Sequence, residues 1–83
     1  MQVHILNIDM DNEFIITLQF LISRLERISA DSVVAHRASG IRGAILRALE
    51  QSETGNFPSE KHVKYLIDMG YSLLQKAAGE IGR

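Results

Sequence analysis

The chain has 83 residues, 46% of them apolar and 23% charged, with a formal net charge of −1 and no cysteine. That length suits one domain and leaves no room for a second core. The composition excludes disorder, the charge excludes a uniformly basic nucleic-acid-binding field, and the missing cysteines exclude disulfides and thiolate metal sites.

MQVHILNIDMDNE has no basic stretch ahead of an apolar run, so no signal peptide is expected. The longest charge-free run, Phe14 to Ser23, is far short of the roughly 20 apolar residues that a membrane span requires. A soluble protein follows, with the cytoplasm as the default location.

Residues 1–10 carry a weak signal. Val3 and Ile5 alternate around His4 in a way that fits an extended arm or a short strand, with a helical extension as the third choice. A lone strand would need a partner for its backbone, from the helices or from a second chain. Asp9, Asp11 and Glu13 alternate like calcium ligands, but the positions of the required loop glycine and of its final glutamate hold Phe14 and Phe20. The expected role is that Asp11 or Asn12 caps a helix, with the other carboxylates favoured near its positive N-terminal end.

The first predicted helix covers about 12–28 and is about 25 Å long. Phe14, Leu18, Leu21, Leu25 and Ile28 recur at three and four, with Ile15 and Ile22 widening that face. Ile16 and Phe20 project on a roughly opposite flank. A helix buried on one side only has no use for them there, so they are candidate partner-binding residues unless the N-terminal arm covers them.

Ser29 to Asp31 predicts a tight return with Asp31 as a helix cap, giving an antiparallel hairpin. The second helix is predicted over about 32–50, with Val34, Ala38, Ile41, Ile45 and Leu49 as core and Val33, Ala44 and Ala48 flanking. Its other side presents His36, Ser39, Gly40, Gly43 and Arg47. Glycine inside a helix costs about 1 kcal/mol against alanine, and three explanations compete for Gly40 and Gly43. They could admit a closely packed helix, admit a ligand or nucleic-acid backbone with His36, Arg37, Arg42 or Arg47 supplying charge, or break the helix into a helix-turn-helix-like pair.

EQSETGNFP, residues 50–58, is the clear loop, with Phe57 as its apolar anchor. Ser59 then caps a third helix over about 59–81, whose face is Val63, Leu66, Ile67, Gly70, Leu74, Ala77 and Ile81. Gly70 marks a close crossing, with the glycines of the second helix as one candidate neighbour. Tyr65, Met69 and Tyr71 are expected at the core edge.

No phosphate-cradling loop, dinucleotide fingerprint or HExxH motif occurs, and His4, His36 and His62 lie on separate segments. Ser39 follows His36 by one turn but has neither an orienting acid nor an oxyanion hole to make it a nucleophile. The expectation is therefore an all-α three-helix bundle with a short extended N-terminal arm, not an enzyme, and without a cofactor or metal. Its first functional reading is a protein-protein interaction or assembly module, a homo-oligomer or adaptor engaging a helical surface through Ile16, Phe20, Gly40 and Gly43. The alternative is a small nucleic-acid-binding subunit touching phosphates through arginines of the second helix, with His36, Arg37, Arg42 and Arg47 as the candidate contacts.

Overall fold

Every apolar stripe along this chain needs a second helix to cover it, and three helices that each touch both others meet that need. In the computed structural model, which describes residues 2–81 and the side chains of 12–80, these are α1 (Gln2–Leu25), α2 (Ala35–Glu53) and α3 (Glu60–Ile81). No strand occurs among the described residues, and no helix among them is long and apolar enough to cross a membrane. Two short connections run the helices up, down and up, so α1 and α3 lie parallel, with Phe20 beside Tyr71 and Leu21 against Gly70.

The first correction concerns residues 2–10, which form neither an extended arm nor a strand but a helical extension; residue 1 lies outside the described residues. The helix runs from Gln2 without interruption, so neither Asp11 nor Asn12 caps its start. No glycine or proline precedes Leu25, and a helix satisfies its own backbone groups where a lone strand cannot.

The α1–α2 connection is longer than the sequence suggests. After Leu25 the bonds tighten, with Arg27 N–H donating to the Arg24 carbonyl at 3.1 Å and Ile28 N–H to the Leu25 carbonyl at 3.2 Å. Asp31 does not cap α2, which starts at Ala35 with no side-chain cap. Ser32 organises the turn instead. Its hydroxyl accepts from Val34 N–H at 3.1 Å and donates to Glu80 Oε2 at 3.0 Å, tying the turn to the far end of α3.

α2 passes through Ser39 and Gly40 without a break, which removes the helix-turn-helix-like alternative. It ends at Glu53, ahead of Gly55 at φ +86, a left-handed conformation that favours glycine. α3 begins as expected, with His62 N–H donating to Ser59 Oγ at 3.1 Å.

The core consists of Leu18, Leu21 and Leu25 from α1, Val34, Ala38, Ile45 and Ala48 from the second segment, and Val63, Leu66 and Leu73 from α3. Phe57 packs against it and holds the loop down. Two assignments change. Leu73, absent from the expected face, is fully buried, whereas Val33 is 86% exposed because it falls in the turn before α2.

Candidate interaction surface

The outer face of α1 carries the first pair of candidate residues. Ile16 is 64% exposed and Phe20 42% exposed, both pointing away from the buried Leu18 and Leu21. Since residues 2–11 continue the α1 axis, they do not fold back as an arm over this pair. What covers part of Phe20 is α3. The Tyr71 ring lies 6.4 Å from it, centroid to centroid, tilted by 35°, and Tyr71 itself is 46% exposed. The Arg24 guanidinium stands 5.2 Å above the Phe20 ring, where the face of the π system attracts it. Ile16, Phe20 and Tyr71 thus bring apolar surface from two helices to one side of the bundle, bordered by a cation.

Toward the C-terminal ends of α1 and α3 lies a groove of about 350 Å³, lined by Arg24, Arg27, Ile28, Leu74 and Ala77 and by the hydrogen-bonded Ser32 and Glu80.

Gly40 and Gly43 stand elsewhere. His36, Gly40, Gly43 and Arg47 follow one another at four, three and four along α2, opposite the buried Ala38 and Ile45. A β-carbon at Gly40 would meet nothing within 4 Å, and one at Gly43 would meet only Arg47 Nη1 at 3.8 Å. The close helix packing expected for these glycines is therefore not supplied within the chain. Gly70 supplies the tight crossing, and its neighbour is Leu21 of α1, whose Cδ1 lies 3.1 Å from where a β-carbon would sit, rather than the glycines of α2.

The candidate anion contacts do not converge. Arg37 and Arg42 project about 140° apart around α2, at 100° per residue. Arg42 Nη1 faces Glu26 Oε2 at 4.0 Å, and His36 and Arg47 share the glycine side about 16 Å apart along the axis. No group of three or more possible metal ligands occurs among the described residues, and none of their polar or charged side chains is buried.

Sequence reasoning placed Ile16 and Phe20 outside the core by their spacing but did not join Tyr71 to them. A helical wheel of α3 puts Tyr71 on the flank beside Ile67 and Leu74, and only the parallel pairing of α1 with α3 brings that flank to Phe20. Leu46, 39% exposed, and Tyr65, 54% exposed and stacked on His62 with centroids 6.4 Å apart, are further surface apolars that the spacing left unremarked or placed at the core edge. No protein-family model, curated protein or solved structure matches the chain.

Proposed function

We propose that this protein is a non-enzymatic assembly module of the cytoplasm that self-associates through the outer face of α1. The observation that carries the reading is the joined apolar surface of Ile16, Phe20 and Tyr71, left in water on a domain whose other large apolar residues are mostly packed away. A small bundle has few such residues to spare, and covering these adds stability that a chain of this length lacks.

The magnitude decides what sort of assembly is reasonable. Full burial of a side chain such as Ile or Phe is worth about 1.5–3 kcal/mol, so Ile16 and Phe20 from two copies give at most about 6–12 kcal/mol. Loss of translational and rotational freedom costs about 4–15 kcal/mol. Apolar contact alone thus gives a dimer of modest affinity, and polar pairing around it sets how tight the dimer becomes.

The test is the solution mass by light scattering across a concentration series, for the natural chain and for Ile16→Asp/Phe20→Asp, at low and high salt. The expected result is an oligomer that the double substitution splits into monomers with unchanged helicity. A natural chain that stays monomeric at every concentration and salt would overturn the reading.

A further inference from the structure

Self-association by itself does not say which way two copies meet, and the order of charges along α1 does. The outer face of α1 is traced by Glu13, Ile16, Phe20 and Ser23, spaced three, four and three. Arg27 lies just past the helix, where its N–H donates to the Arg24 carbonyl at 3.1 Å, and with Arg24 it lines the groove toward α3. Alternation of three and four gives a single seam, the pattern by which one helix packs along another. This seam is acidic at its N-terminal end, apolar in the middle and basic at its C-terminal end, where Arg24 stands beside Phe20.

Glu26 faces Arg42 on the α2 side, Lys64 is held by Glu60 at 3.1 Å on α3, and Glu80, which lines the groove with Arg24 and Arg27, accepts from Ser32 Oγ at 3.0 Å.

Resting on the self-association reading above, we propose that two copies of this chain pair through α1 helices in antiparallel orientation, with the two-fold axis at the level of Leu18. One register satisfies the seam. Setting Ile16 against Phe20 of the second copy also sets Glu13 against Ser23, with Arg24 one place along. Because the contact is isologous, each pairing occurs twice. A parallel pair in register does the reverse, laying Glu13 on Glu13 and Arg24 on Arg24, and like charges in apposition select against it. The two-fold axis also leaves both α3 helices on the same side of the pair. Tyr71 of each copy then widens the contact next to the Phe20 side chains.

The absence of cysteine allows single thiols to report the geometry. Asn12 and Ser23 are both exposed and carry none of the seam charges. In the antiparallel pair Asn12 of one copy lies near Ser23 of the other, whereas Asn12 is about 18 Å from Asn12 and Ser23 about 15 Å from Ser23 along the helix. Asn12→Cys mixed with Ser23→Cys and treated with a short bis-maleimide should therefore give the mixed adduct, and either variant alone should give little. In parallel, Glu13→Arg and Arg24→Glu should each weaken self-association about tenfold or more, and mixing the two variants should restore it to within about threefold of the natural chain.

A dominant Asn12–Asn12 or Ser23–Ser23 adduct would overturn the antiparallel arrangement in favour of a parallel one. A dimer that gives no adduct and ignores both charge reversals would overturn the α1 seam while leaving self-association standing. A chain that is monomeric by light scattering would remove both.

Discussion

Replacing Gly40 and Gly70 separately by alanine should move the melting temperature in opposite directions, although the two positions look alike as glycines inside helices. At Gly40 a methyl group meets nothing within 4 Å, so the substitution brings only the helix propensity of alanine, about 1 kcal/mol. For a domain of this size that is a rise of about 6 °C. At Gly70 the same propensity gain is opposed by packing. The new β-carbon would lie 3.1 Å and 3.2 Å from the two δ-carbons of Leu21, against roughly 3.5–4.0 Å for relaxed carbon contacts. Leu21 is fully buried and cannot swing into solvent, so it or the α1–α3 spacing must give by a few tenths of an ångström.

Overpacking of this kind costs about 1–3 kcal/mol, which leaves Gly70→Ala with a net loss of about 0–2 kcal/mol. Far-UV circular dichroism melts at two protein concentrations measure both variants and separate monomer stability from association. If Gly70→Ala melted as far above the natural chain as Gly40→Ala, the tight crossing with Leu21 would be refuted. If Gly40→Ala melted below it, something would occupy the outer face of α2.

Ser59→Ala should cost about 1 kcal/mol, read as a lower urea midpoint at unchanged slope, because it removes the acceptor for His62 N–H at the start of α3. Leu73→Ala should cost about 2–5 kcal/mol in the same titration, since it empties a fully buried site where the three helices meet. Arg42→Ala should change stability by less than about 0.5 kcal/mol, because its 4.0 Å pairing with Glu26 is exposed on both sides. A larger loss in a thermal melt would show that Arg42 matters by covering the neighbouring hollow and not as an ion.

The parts of the fold that a single helix determines were legible in the sequence. Spacing at three and four identifies Leu18, Leu21 and Leu25, or Val63 and Leu66, because burial repeats with the helical turn whatever lies opposite. The parts that depend on a second element were not. Asp31 suits a cap by residue type, yet α2 has no side-chain cap, and the turn is organised by Ser32, whose partner Glu80 is 48 residues away. Gly70 announces a close approach, but periodicity does not name Leu21 as the side that approaches. Leu73 and Leu74 both fit the face of α3, and only the triangle of helices decides that Leu73 points to its centre. Residues 1–10 misled because alternation over a few residues suits a strand and a helix equally, and the continuous run into α1 breaks the tie. For the candidate surface, spacing exposed Ile16 and Phe20 but also grouped them with Gly40 and Gly43, which the bundle sets on a different helix.

That separation limits how one assembly can use both sets. A two-fold contact applies the same patch from each copy, so α1 outer face against α1 outer face closes a dimer and leaves the glycine side of α2 in solvent on both subunits. A contact of the α1 face with the α2 face would be heterologous and would propagate into rings or filaments unless its rotation closed. The glycines themselves separate these cases. In the closed dimer, Gly40→Ala raises the melting temperature and leaves the light-scattering mass unchanged, because a methyl group there touches neither core nor partner. In the heterologous arrangement the same methyl group stands in the interface, and association weakens even as each helix becomes more stable. The apolar and charged residues of the α1 seam favour the first outcome. They make that face complementary to itself, whereas His36 and Arg47 on the glycine side offer no large apolar residue to receive Phe20.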